Sequence, residues 1–180
     1  MYGLVNKGIR DFAIKEGGDL LWQKIRTRAG CKDDDFLSMH AYEDVVTVNL
    51  VDAAAAVLNL PAAEVMRLFG HHWVLYTADA GYGPLMKLSG DTLLTFLQNL
   101  DSMHARIQSS MPELRPPRFS CTVLDETTYQ VDYISERAGL YPMVQGLLEG
   151  VAARLNEPAK VFCDRVSDDE HRAVFRVCVQ

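Results

Sequence analysis

Two adjacent prolines, Pro116 and Pro117, divide this chain more sharply than anything else in it. Proline has no amide hydrogen to give a helix, and it biases the residue before it toward extended backbone. No helix can run through Leu114-Arg115-Pro116-Pro117. The periodicity changes at the same place. Upstream, apolar residues recur mostly at helical spacing; downstream, they alternate as in strands. A helical part followed by an α/β part is predicted, an α+β fold in one domain.

Upstream, residues 3–14 put Leu4, Ile9 and Phe12 near one helix face, and Gly17-Gly18 breaks that helix. Residues 19–28 follow with Leu21, Trp22 and Ile25, then helices over 43–58 and 61–75, the second with Pro61 in its first turn. Gly81-Tyr82-Gly83-Pro84 reads as a loop. The clearest helix covers 91–109, with Asp91 as its cap. Leu93, Phe96, Leu97, Leu100, His104 and Ile107 form its stripe. Downstream, strands are expected at 119–123 and 129–133 around a polar turn at 125–128. A helix from about Pro142 to Leu155 comes next. Strands Ala159–Val166 and Arg172–Val179 close the chain, joined by the acidic turn Ser167-Asp168-Asp169-Glu170.

With 48% hydrophobic and 23% charged residues, the 180-residue chain has an ordinary globular mixture. Its net charge of −6 argues against nucleic acid, whose binders carry a basic surplus. No polybasic anchor and no apolar run of membrane-spanning length occurs, and the N-terminus lacks a signal-peptide layout. A cytoplasmic protein with no membrane partner is expected, its cysteines reduced. Cys31, Cys121, Cys163 and Cys178 are widely spaced with no CxxC pair, so only a zinc site gathered from scattered residues stays open. No nucleophile elbow, phosphate loop or dinucleotide fingerprint is present. His71 and His72 adjoin, so a helix points them apart and they read as surface or boundary residues. Asp33-Asp34-Asp35 lacks the spacing of a calcium loop and reads as a solvated loop or cap.

Two groups could carry chemistry. His104 lies in line with Leu97, Leu100 and Ile107, where its imidazole is either a satisfied core histidine or a metal ligand. Tyr133, Ser135 and Arg137 share one face if a strand runs through them. That row offers two hydroxyls and a guanidinium fork to a ligand with spread carboxylates, unless it is simply an exposed strand face.

The opening MYGLVNKGIRDF, Leu-Asp-x-x-His at 100–104, Arg-Pro-Pro-x-Phe at 115–119, and Tyr-x-Ser-x-Arg at 133–137 before Gly-Leu-x-Pro-Met together resemble the H-NOX (heme–nitric oxide/oxygen binding) domain family. The sensor domain of the soluble guanylate cyclase β subunit is related. The resemblance covers essentially the whole chain. It implies a single domain over 1–180, of the stand-alone bacterial type, with heme b (iron protoporphyrin IX) between a helical distal part of about 1–60 and an α/β part with an antiparallel sheet at about 117–180. The proximal helix would be about 91–109. His104 matches the family's proximal ligand, and Tyr133, Ser135 and Arg137 match its propionate clamp. Pro117 matches the proline that presses on the heme, and Asp44 the acidic residue that supports the clamp arginine.

The resemblance also implies a sensor rather than an enzyme. NO and CO would bind ferrous heme, and release of His104 would regulate a separate partner, a histidine kinase or a cyclic-di-nucleotide enzyme. Val5, Ile9, Trp73, Met143 and Leu147 match the distal lining. Oxygen-binding members carry a distal tyrosine where this chain has Met143, so stable O₂ binding is not expected. Tyr141, two residues away, would face elsewhere on the helix. The alternatives are a peroxidase-like heme enzyme, which would want a distal His or Arg that these candidates lack, and a heme-free interaction module.

Overall fold

The computed structural model describes residues 1–180 except 33, 34, 112 and 168–170. It divides into two compact units, Met1–Phe69 and Gly70–Gln180. The division falls inside a helix rather than at the two prolines.

The first unit begins with α1, Gly3–Arg28, which contains two helices. Gly18 takes φ 70°, left-handed backbone that favours glycine, and the helix bends at Gly17-Gly18 where the sequence predicts a break. α2 (Asp44–Leu58) ends on Asn59 in the left-handed conformation. Asn6 of α1 is fully buried and accepts from the Thr47 hydroxyl at 2.7 Å, joining the two helices through a polar contact. α3 (Ala62–Thr77) runs from the first unit into the second. Pro61 precedes its first turn, its carbonyl accepting from Glu64 and Val65.

The second unit holds the sheet. The stretch expected as a loop at 81–84 is instead the end of a π-helical turn, Ala78–Tyr82, running into α4, Gly83–Ser89. Gly81 at φ 104° turns the chain, and Pro84 suits the first turn of α4. α5 covers Leu93–Ser110, and its cap is Thr92 rather than Asp91. Thr92 and Thr95 satisfy each other's backbone amides, a reciprocal arrangement that the Asp91 side chain does not enter. β1 (Arg118–Val123), β2 (Thr128–Ile134), α6 (Tyr141–Arg154), β3 (Ala159–Val166) and β4 (Arg172–Val179) follow. The sheet is antiparallel in the order β1-β2-β4-β3.

Alternation decides which sheet face is covered. Tyr129, Val131 and Tyr133 of β2 and Ala173, Phe175 and Val177 of β4 are buried with Leu93, Phe96, Leu97 and Leu100 of α5 and Val144, Leu148 and Val151 of α6. Burying each large side chain stabilises by about 1.5–3 kcal/mol. α3 and α6 meet backbone to backbone. A Cβ on Gly70 would lie 2.1 Å from the Met143 carbonyl oxygen, and one on Gly150 would lie 2.9 Å from that of His71. Of the two adjoining histidines, His71 is exposed as expected, but His72 is buried and stacks on Tyr76. That follows from α3 sinking one face against its neighbours.

Among the described residues no single helix is long and apolar enough to cross a membrane. The four cysteines are free. Cys121 and Cys163 occupy one rung of the sheet, with Val131 and Phe175 between them, so three strand spacings separate their strands. Burial pushes both thiols up. No group of three or more His, Cys, Asp or Glu gathers as a metal cage among the described residues. The acidic turn at 168–170 and Asp33 and Asp34 lie outside the described residues. Asp35 is exposed and lies 3.7 Å from Arg10.

Candidate functional site

His104 stands one turn beyond Leu100 on the buried stripe of α5 and is half-buried. Its Nδ1 lies 2.8 Å from the Leu100 carbonyl. A carbonyl oxygen only accepts, so Nδ1 carries the hydrogen and Nε2 keeps its lone pair. Burial pushes the imidazole pKa down, against the opposing pull of that bond and of the Asp101 charge. The ring is thus oriented through Nδ1 by a backbone carbonyl, and Nε2 is the nitrogen left for a ligand, as in metal-binding histidines.

The ring does not stand alone. It stacks on Phe119 at 5.5 Å between centroids and 22° between planes. Phe119 in turn lies 5.5 Å from the ring of Tyr133, its cross-strand partner. The backbone amide of Phe119 donates to Asp101 at 2.8 Å, tying the start of β1 to α5 within one turn of His104. An unbroken series of aromatic contacts thus joins His104 to the residue at the head of the Tyr-x-Ser-x-Arg motif.

Tyr133 is only 2% exposed. Burial raises its pKa, opposed by a hydrogen bond with the Ser135 side chain and by the charge of Arg137. The hydroxyl, the Ser135 side chain and the guanidinium therefore share one neighbourhood. They do not share a strand face, as the sequence suggests. β2 ends at Ile134, and Ser135 and Arg137 lie in the bend beyond it. The chain must turn there to enter α6, and Gly139 at φ 74° completes the turn. Within the bend the Ser135 Oγ accepts from the Arg137 amide at 3.0 Å. Arg137 Nη1 donates to the Arg115 carbonyl at 3.2 Å, and Arg115 pairs with Glu136 at 3.0 Å. The segment before the two prolines is thereby fastened to the bend.

The donor set is two hydroxyls and a planar cation, which suits carboxylates. An iron porphyrin with two propionates needs a nitrogen ligand for the metal and hydrogen-bond donors with positive charge for its carboxylates, and the residues present fit such a group.

The other candidates distribute as follows. Val5, Ile9 and Asp44 belong to the first unit; Trp73, Pro117, Met143 and Leu147 belong to the second. Ile9 is buried, and Val5, Trp73, Pro117, Met143 and Leu147 are half-buried. Trp73 packs its ring 5.9 Å from Tyr76. Met143 and Leu147 lie one turn apart on α6, where Gly70 meets the backbone. Tyr141 packs against the core of the second unit. Asp44 sits in the first turn of α2 and accepts from the Met1 amino group. Sequence reasoning passed over Gly70 and the stacking role of Phe119. A glycine inside a helix costs about 1 kcal/mol against alanine, so its presence signals a close backbone approach. A hairpin centred on 126 sets residue 119 opposite residue 133, which would have placed Phe119 beside Tyr133.

The family model described as Haem-NO-binding matches residues 2–163. The chain belongs to this family, the H-NOX domains, which are heme-binding gas-sensor domains. It is 29% identical over 181 residues to soluble guanylate cyclase gcy-35 of Caenorhabditis elegans, covering 97% of this chain and 26% of that one. It is 30% identical to gcy-32 of the same organism over 158 residues, covering 86% and 23%. The chain therefore spans about a quarter of the length of these curated relatives. Its fold matches a variant H-NOX protein from S. oneidensis in the Fe(II) ligation state with a TM-score of 0.90 at 19% identity, over 100% of this chain and 96% of that one.

Proposed function

We propose that residues 1–180 form one cytoplasmic domain that holds heme b, senses NO and also binds CO, does not bind O₂ stably, and signals to a separate protein. The observation that carries this is the His104 arrangement. Nδ1 is engaged by Leu100, Nε2 is left as a donor, and the aromatic contacts run on to Tyr133, Ser135 and Arg137. Heme, when bound, would supply a ferrous iron with an open coordination position for a diatomic gas. His104 would hold the iron through Nε2, and Tyr133, Ser135 and Arg137 would hold the propionates, with Asp44 supporting Arg137. Val5, Ile9, Trp73, Met143 and Leu147 would line the distal side, and Pro117 would press on the macrocycle.

The signal would begin with release of His104. α5 is joined to β1 by the Asp101–Phe119 bond, so a shift of α5 reaches the sheet. Such a shift, biased by the bound gas, would give the two states that a switch needs. The partner would be a histidine kinase or a cyclic-di-nucleotide enzyme acting in trans. Ligand choice follows from polarity. Bound O₂ gains from a distal hydrogen-bond donor, whereas NO and CO need one far less. Met143 offers none.

The test is spectroscopic. The reduced protein is exposed to NO, CO and air in turn. NO should move the Soret band to the position of a five-coordinate species, and CO should give a stable band. Air should give no lasting split pair of visible bands, whereas Met143→Tyr should move the protein toward one. A persistent split pair in the unaltered protein would overturn the ligand assignment.

A further inference from the structure

We infer that His171 is a positioning residue of the clamp: its imidazole and its backbone carbonyl together fix the main chain of Ser135, and through it the bend that carries Arg137. The inference rests on reading Tyr133, Ser135 and Arg137 as the anchor of the heme propionates.

The last rung of the β2–β4 ladder pairs Ile134 with Arg172. One residue further on, the Ser135 amide donates to the His171 carbonyl at 2.9 Å. The His171 Nδ1 lies 2.9 Å from the Ser135 carbonyl, 36 residues away in sequence. Since the carbonyl only accepts, Nδ1 donates. Both polar main-chain groups of Ser135 are thus engaged by one residue at the entry to β4. The imidazole bonds to the carbonyl that a further rung of the ladder would use.

That bond matters because the strand has ended. Residues 135–139 belong to no helix or strand, so no ladder of their own fixes their peptide planes. The plane between Ser135 and Glu136 contains the Ser135 carbonyl. Its rotation would swing the next residues, and the Arg137 amide would leave the Ser135 Oγ, 3.0 Å away. The Ser135 hydroxyl would lose that bond, and the guanidinium would lose its approach to the Arg115 carbonyl. The imidazole of His171 opposes that rotation, so a residue outside the Tyr-x-Ser-x-Arg motif sets where the motif's donors sit.

The amide nitrogen of asparagine can occupy roughly the place of histidine Nδ1, which makes His171→Asn the conservative variant and His171→Ala the deletion. Heme transfer to excess apomyoglobin is followed for the unaltered protein, for both variants, and for Arg137→Ala as the clamp reference. Amide hydrogen exchange at Glu136 and Arg137 is measured on the heme-free proteins. His171→Ala should release heme about tenfold faster, the effect of one lost hydrogen bond. Its Glu136 and Arg137 amides should exchange faster, and His171→Asn should return both readouts toward the unaltered protein. Heme release and exchange unchanged in His171→Ala, or equal acceleration in Ala and Asn, would overturn the inference. If Arg137→Ala holds heme as firmly as the unaltered protein, the clamp reading fails instead, and exchange in the heme-free proteins still decides whether His171 holds Ser135.

Discussion

The two ends of the candidate site are built in opposite ways. His104 stands on a regular helix, and its hydrogen bond comes from its own element: the carbonyl four residues earlier holds Nδ1. The clamp stands where regular structure stops. Its orientation is borrowed, from Arg115 before the two prolines and from His171 at the start of β4. Helix geometry guarantees a contact at i−4, whereas a bend needs partners brought from elsewhere by the fold. The difference teaches that the setting of His104 should survive local damage elsewhere, whereas that of Ser135 and Arg137 should be sensitive to residues far away in sequence.

The largest effect should come from His104→Gly. Removing the imidazole leaves α5 intact apart from the helix penalty of glycine, about 1 kcal/mol. The purified variant should carry little or no heme, and free imidazole should restore the Soret band. Full occupancy with an unchanged spectrum would break the assignment. Arg137→Ala should come next. Hydrogen bonds to charged groups contribute about 1.5–3 kcal/mol, so heme release should accelerate by an order of magnitude or more. The His104 signature should stay, because nothing in the helix is altered. An Arg137→Ala variant that lost the axial signature as well would show that the two ends are not separable.

Phe119 sharpens the comparison, since it is the side chain that touches both ends. Phe119→Leu keeps most of the apolar volume and removes the flat faces. Aromatic contacts of this kind contribute about 0.5–1.5 kcal/mol beyond area burial. Heme should be retained, with the iron–imidazole stretching band shifted or broadened in resonance Raman spectra and heme release no more than several-fold faster. A band identical to that of the unaltered protein would mean that the stack does not orient His104.

The same contrast explains what could be read from the sequence. Local features were legible: the Gly17-Gly18 break, the stripe of α5 and the bounds of β3 and β4 all follow from period and punctuation within a few residues. His104 was legible because a polar residue in an apolar stripe stands out. Tyr133, Ser135 and Arg137 were legible as residue types, but their arrangement was not. Alternation extends past Ile134 in the sequence, while the turn into α6 ends the strand. The π-helical turn at Ala78–Tyr82 has no sequence period of its own and rests on Gly81 adopting positive φ. Thr92 displaced Asp91 because capping depends on reciprocity with Thr95, and both neighbours are acceptable caps by type. His171 was invisible because its partner is known only once β2 and β4 are in register.

The smallest effect tests whether the ladder that delivers His171 to Ser135 is itself reinforced by charge. Asp132 lies three residues before Ser135 on the open face of β2, and its carboxylate accepts from Arg172 at 3.1 Å and from Gln130 at 2.9 Å. These partners hold its pKa below the usual carboxylate range; the Gln130 bond is the largest cause, and the Arg172 bond and charge add to it. A carboxyl whose folded pKa is depressed binds its proton more readily when unfolded. Its stabilisation is therefore fully present above the ordinary carboxylate pKa of about 4 and is lost as pH falls through the lower folded value. Arg172 is more than half exposed, so solvent limits the pair to about 0.2–1 kcal/mol. Asp132→Asn should thus lower the melting temperature by a few degrees at most at pH 7, and by progressively less as pH falls below the ordinary carboxylate range. Its acid-induced loss of stability should be correspondingly shallower. Because Arg172 directly follows His171, the variant should also accelerate Arg137 amide exchange slightly at pH 7, with little change in heme release. A destabilisation that does not shrink as pH falls from 7 into the acid range would place the effect in packing rather than charge.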